Sequence, residues 1–135
     1  MNGTRVLLAD DNPAMLGKVA ELLRDQFHVV GAVTDGQAAL DAVNAMQPEV
    51  LVLDISMPVL NGVQTAQRLQ QIGSSAKLVF LTMHDDPDYV REALATGALG
   101  YVIKSRLASD LVVAIQEALA GRSFISPSLS FADAS

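Results

Sequence analysis

Short apolar runs alternate with amphipathic stretches along most of the chain. The runs are continuously hydrophobic and rich in Val, Leu and Ile, which is typical of strands covered on both faces. They span 6–9, 29–33, 50–53, 78–81 and 101–103. Between them, apolar residues recur at helical spacing over 13–26, 36–46, 62–72, 88–96 and 108–120. The pattern predicts five strands and five helices in strict alternation.

This alternation favours an α/β fold with a parallel sheet and helices on both of its faces. Because crossover connections are right-handed, few topologies remain. We expect a flavodoxin-like (βα)5 doubly wound sheet with strand order 2-1-3-4-5, whose switch point lies between strands 1 and 3. Asn12 before Pro13 predicts the cap of the first helix. The predicted inward-facing helix residues include Met46, Ile72 and Leu119.

The periodic pattern stops at Gly121. The following stretch carries several serines and a proline and has no helical stripe. We therefore predict one domain over 1–121 and a linker or tail over 122–135.

Composition narrows the class of protein further. The chain has 135 residues, half of them hydrophobic, and a mean hydropathy of +0.32, which fits one folded domain rather than disorder. No apolar run is long enough for a membrane span, and the N-terminus does not resemble a signal peptide. The absence of cysteine suits a reducing cytoplasm. A net charge of −6 argues against nucleic-acid contact by this domain itself.

Three carboxylates follow two of the predicted strands. Asp10 and Asp11 close the first strand and Asp54 closes the third, so in the predicted topology all three meet at the switch point. Like charges at that range repel and raise each other's pKa, and a hard divalent cation such as Mg²⁺ would offset this. Mg²⁺ beside one carboxylate suits phosphoryl transfer onto that carboxylate. Taken singly, each Asp could equally be a helix cap or a polar strand end.

Thr82 and Lys104 close the fourth and fifth predicted strands. Alone, each has an ordinary explanation, a strand-end hydroxyl and a solvated charge. Together they supply what an acyl phosphate needs, because the hydroxyl can donate to one phosphoryl oxygen and the ammonium can pair with another.

These residues, with Met57-Pro58 and Gly62 after Asp54 and with Tyr101 before Lys104, resemble the receiver domain of bacterial two-component response regulators over about residues 5–121. The resemblance implies that Asp54 is the phosphoacceptor and takes its phosphoryl group from the phosphohistidine of a sensor histidine kinase. It implies a phosphorylation switch with possible autodephosphorylation, not a turnover enzyme.

The resemblance also implies a role for each site residue. Asp11, the Asp54 side chain and the Ser56 backbone carbonyl would ligate Mg²⁺, and Asp10 would contribute through water. Thr82 and Lys104 would bind the phosphoryl group.

By the same resemblance, the switch runs through Thr82 and Tyr101. Thr82 would move toward the phosphoryl group and Tyr101 would then rotate inward, unless Tyr101 is an ordinary half-buried aromatic. Ser56 and His84 could tune the phosphoryl lifetime, although an exposed loop histidine explains His84 as well. Met83 is large for its position and could crowd the phosphoryl site.

The stretches 97–104 and 118–127 resemble the NarL/FixJ branch of the family. In that branch the receiver leads to a helix-turn-helix DNA-binding domain, and we expect the chain to stop before such a domain. The resemblance thus implies a transcription regulator that contacts DNA through that output domain and can form a homodimer on phosphorylation. The alternative is a stand-alone receiver that acts through protein–protein contacts.

Three other classes fit less well. A dehalogenase-type phosphatase needs a second Asp two residues after its nucleophile, where this chain has Ser56, and it needs cap insertions that are missing here. A flavodoxin-like cofactor binder needs a phosphate-cradling first loop, where this chain has Asp10 and Asp11. A degenerate receiver that serves only for interaction would not need the intact acidic set.

Overall fold

A computed structural model describes residues 3–83 and 87–126. The strands are β1 Arg5–Ala9, β2 His28–Val33, β3 Val50–Asp54, β4 Lys77–Thr82, β5 Gly100–Ile103 and β6 Phe124–Ile125. The helices are α1 Pro13–Leu23, α2 Gly36–Met46, α3 Gly62–Gln71, α4 Pro87–Ala95 and α5 Leu107–Leu119, and a 3₁₀ turn at Lys104–Arg106 precedes α5. No helix in the described ranges has the length and apolar character that crossing a membrane requires.

The described strands form one parallel sheet in the order β2-β1-β3-β4-β5-β6. The predicted doubly wound fold and the order of its first five strands are therefore confirmed. The sheet also extends past residue 121, where the sequence predicted a linker or tail. There β6 pairs in parallel with β5, with Gly100 opposite Phe124 and Tyr101 opposite Ile125. A two-residue strand is too short to show a hydrophobic period, and it is identifiable only from its pairing.

Neighbouring residues of each strand face opposite layers of the core, as strand geometry requires. In β1, Leu7 packs into the layer covered by α2, α3 and α4, whereas Leu8 packs into the layer covered by α1 and α5. β3 is buried along its whole length. Burial on both faces explains why these strands are continuously apolar in sequence.

The predicted helix bounds agree with the structure to within one residue, except that α1 ends at Leu23 and not at residue 26. Asn12 caps α1 as predicted, because its side chain accepts hydrogen bonds from the N–H groups of Ala14 and Met15. The predicted inward positions Met46, Ile72 and Leu119 are instead exposed. Each lies at or just past the last residue of its helix, where the apolar spacing continues after the packing surface has ended.

Candidate functional site

The carboxyl ends of β1 and β3 bring three acidic side chains together. The two strands pair directly, with Ala9 opposite Leu53, so that Asp10 and Asp54 follow side by side. Asp10, Asp11 and Asp54 each offer a carboxylate oxygen, and these oxygens all lie within 4.8 Å of one another. Asp10 and Asp54 are buried, whereas Asp11 is exposed. The structure thus brings together the three carboxylates that the sequence placed at this switch point.

Lys104 enters the same cluster from the end of β5. Its Nζ lies 2.9 Å from Asp10 Oδ2 and 3.5 Å from Asp54 Oδ2. Only 12% of the Lys104 side chain is exposed, so the ammonium is a largely desolvated partner of both buried carboxylates rather than a solvated charge. One ammonium among three ionised carboxylates still leaves an excess of two negative charges.

The charges around Asp54 and its burial change the pKa of its carboxyl group. Burial raises the pKa of this carboxyl to about 6, and repulsion from Asp10 adds to the effect. Lys104 and a hydrogen bond from the Ser56 backbone N–H act in the opposite direction, the latter across 3.3 Å to Asp54 Oδ1. The effects that raise the pKa exceed those that lower it, so the positive charge near Asp54 does not fully compensate its ionised form.

A pocket of about 210 Å³ opens onto these groups. It is lined by Asp11, Asn12, Asp54, Ser56, Met83 and Lys104. Met83 is 79% exposed and stands at the rim, where the sequence suggested it could crowd the site. The sequence did not mark Asn12 as a pocket residue, because its role as the cap of α1 already accounted for it.

Thr82 lies at the same edge of the sheet. In the strand register Asp54 is opposite Leu81, and Thr82 is opposite Ile103, the residue before Lys104. The Thr82 side chain is fully buried.

Tyr101 is not a half-buried aromatic residue. Its side chain is fully buried, and its ring packs at a 50° tilt against Phe80 with 6.4 Å between ring centroids. Rotation inward was expected to follow phosphorylation, but the side chain is already buried in this structure. His84, whose role the sequence left open, lies outside the described residues.

Comparison with known proteins shows the family to which this fold belongs. The profile of the response regulator receiver domain matches residues 6–116. A transcriptional regulatory protein of Bacillus subtilis (strain 168), YvfU, is 34% identical over 129 residues, which cover 94% of this chain and 64% of that protein. This chain therefore spans less than two thirds of that relative.

Two solved structures share the fold closely. The crystal structure of a LuxR-family two-component response regulator from Aurantimonas sp. SI85-9A1 superposes with a TM-score of 0.92 at 29% identity, covering 98% of both chains. The signal receiver domain of the response regulator NarL from Mycobacterium tuberculosis superposes with a TM-score of 0.86 at 31% identity, covering 90% of this chain and all of that one. The chain belongs to the response regulator receiver domain family, and its relatives are response regulators of the NarL and LuxR type.

Proposed function

We propose that this domain accepts a phosphoryl group on Asp54 from the phosphohistidine of a sensor histidine kinase. The observation that carries the proposal is the placement of one buried carboxylate at the base of an open pocket, with Lys104 Nζ 3.5 Å from its Oδ2. The Lys104 ammonium would lie beside a phosphoryl group on that oxygen and would compensate part of its negative charge. In-line transfer asks mainly for such positioning and charge neutralisation.

The chemistry of the donor set fits a hard divalent cation, and we assign Mg²⁺. Three carboxylates with oxygens within 4.8 Å of one another, and the raised pKa of Asp54, indicate a site that lacks positive charge. Asp11, Asp54 and the Ser56 backbone carbonyl would hold the ion, with Asp10 contributing through water. When bound, the ion would neutralise charge on the phosphoryl oxygens.

The transfer forms one bond and breaks one bond. A carboxylate oxygen of Asp54 attacks phosphorus, the phosphorus–nitrogen bond of phosphohistidine breaks, and the electron pair stays on the departing imidazole. Lys104 pairs with one oxygen of the transferred group, and the Thr82 hydroxyl donates to another. The product is an aspartyl phosphate, so the domain works as a switch and not as an enzyme acting on free substrates.

The switch would follow from the added charge. Phosphorylation changes the charge at Asp54 from about −1 to about −2 and adds acceptor oxygens. Thr82 would be drawn toward them, and its movement would favour the arrangement in which Tyr101 is buried. Phosphorylation would thus shift a population between two arrangements of one fold.

The switch would control the activity of a transcription regulator. The relatives are transcriptional regulators of greater length than this chain, and we infer that a helix-turn-helix output domain contacts DNA while the acidic receiver does not. Phosphorylation would favour a homodimer of such a regulator, and the protein would act in the cytoplasm.

Intact mass spectrometry after incubation with acetyl phosphate tests the proposal. The parent chain should gain the mass of one phosphoryl group when Mg²⁺ is present and should gain none when the ion is chelated. Asp54→Asn serves as the control and should gain none in either condition. Equal gain in parent and variant would refute Asp54 as the acceptor.

A further inference from the structure

A buried polar cluster outside the pocket involves residues that the proposed chemistry does not use. Asp110, in the first turn of α5, is 4% exposed. Its carboxylate accepts hydrogen bonds from Arg106 Nε at 2.9 Å, Ser109 Oγ at 3.0 Å and Ser126 Oγ at 2.7 Å. A buried carboxylate with this many donors is strongly held in place.

Ser126 is the residue that links this cluster to the site. It is fully buried just after β6. Its hydroxyl donates to Asp110 and accepts from the backbone N–H of Ile103 at 3.1 Å. Its own backbone N–H donates to the Tyr101 carbonyl at 2.9 Å. One side chain therefore bonds both to α5 and to the residue that precedes Lys104.

The same bonds tie the end of β6 to β5 and α5. Among the described residues, β6 pairs with β5 through Phe124 and Ile125, and Ser126 follows them directly. This chain covers 64% of the length of the relative YvfU, and we infer that an output domain is joined to the receiver by the segment after Ser126. A displacement of Lys104 would reach that segment through Ile103 and Ser126.

We propose that Ser126 and Asp110 are positioning residues that couple the Lys104 side of the phosphoryl pocket to the end of β6 and to the chain that follows it. Asp110 orients the Ser126 hydroxyl, and that hydroxyl holds Ile103 and thereby the backbone from which Lys104 projects. The inference rests on the proposed phosphoacceptor function and adds to it a route from the site to the output. If the Ser126 hydroxyl holds Ile103, and with it Lys104, in the arrangement that binds a phosphoryl group, then removal of the hydroxyl weakens binding at the pocket.

The test measures affinity for beryllium trifluoride, an analogue of a bound phosphoryl group, at saturating Mg²⁺. Ser126→Ala removes the hydroxyl and should weaken binding roughly fivefold, the lower range of typical coupling. Arg122→Ala is the matched control, because it breaks an exposed ion pair with Glu117 in the turn between α5 and β6 without touching Ile103. The control should bind as the parent does.

A second measurement needs no substitution. Hydrogen exchange at the Ile103 and Ser126 amides should slow when beryllium trifluoride binds the parent chain. The Phe27 amide, which donates to the Leu23 carbonyl after α1, serves as a reference that should not respond. This measurement decides the matter if Ser126→Ala does not fold.

The outcomes separate the two proposals. Weaker binding by Ser126→Ala alone, with slower exchange at Ile103 in the parent, supports the coupling. Parent-like affinity in Ser126→Ala, or unchanged exchange at Ile103 and Ser126 on binding, overturns the coupling and leaves the phosphoacceptor function standing. Failure of the parent to bind overturns the phosphoacceptor function and the coupling with it.

Discussion

The ammonium of Lys104 forms its shorter ion pair with Asp10, at 2.9 Å, and not with the proposed phosphoacceptor, which lies 3.5 Å away. Lys104 thus holds a buried carboxylate in place before any phosphoryl group arrives. New negative charge on Asp54 would compete with Asp10 for the same ammonium. The strength of that competition depends on how far a cation compensates Asp10.

Lys104→Gln should destabilise the domain in the absence of divalent cations. Removing one partner of a buried ion pair leaves an uncompensated buried charge, and we expect the free energy of unfolding near neutral pH to fall by about 3 kcal/mol. Urea unfolding measures this. Lys18→Gln, which alters an exposed lysine on α1, is the control and should change stability little. Equal stability of the two variants would contradict the role given to Lys104.

Asp54→Asn should stabilise the metal-free domain, and more so as the pH rises. The folded pKa of about 6 lies above the ordinary value of 3.8, so the stability that protonated Asp54 contributes is fully present below 3.8 and is lost as the pH rises through 6. The variant, which stays neutral, should gain about 2 kcal/mol at about pH 8 and little at about pH 4.

Urea unfolding of parent and Asp54→Asn at both pH values checks this expectation, with chelator present throughout. In a separate series without chelator, added Mg²⁺ should stabilise the parent more than the variant, because the variant lacks one of the proposed carboxylate ligands. A gain that is larger in acid than in base would refute the assignment of the raised pKa to the folded state.

Thr82→Ala should separate acceptance from output. The acceptor carboxylate and Lys104 remain, so Mg²⁺-dependent mass gain should stay close to that of the parent. The hydroxyl that would respond to the phosphoryl group is gone, so transcription driven by a full-length regulator carrying the variant should no longer respond to the kinase. An equal response of variant and parent in a reporter assay would show that Thr82 does not transmit the signal.

Val59→Gly should stabilise the loop between β3 and α3. Val59 has a φ of 68° and is 74% exposed, so a β-branched residue occupies the left-handed region with little packing to hold it there. Relief of that strain should outweigh the added chain entropy of glycine and raise the free energy of unfolding by about 1 kcal/mol. Val59→Ala keeps a Cβ and should gain less. A variant with Gly that is less stable than the one with Ala would contradict this.

The sheet and the acidic cluster could be predicted because each rests on a strong pattern. Continuous apolar runs predict buried parallel strands, and the switch-point rule then brings Asp10 and Asp54 together. Two residues at known strand ends are enough to predict proximity, though not which carboxylate Lys104 approaches more closely, since that depends on side-chain packing.

Other features had no readable signal in the sequence. β6 has only two residues and therefore no period. Asp110 looks like an acidic residue favouring a helix N-terminus, and its bond to Ser126 joins residues 16 apart through tertiary structure. The apolar helical spacing of α5 likewise continues to Leu119, but within the described residues no packing surface covers this one, and its side chain is exposed.

Chemical trapping of the phosphorylated residue tests the central claim most directly. Borohydride converts an aspartyl phosphate to homoserine, and peptide sequencing by mass spectrometry then locates the changed residue after treatment with acetyl phosphate and Mg²⁺. The account predicts homoserine at position 54 and none at positions 10 or 11. Homoserine at either of those two positions, or at none of the three, would contradict it.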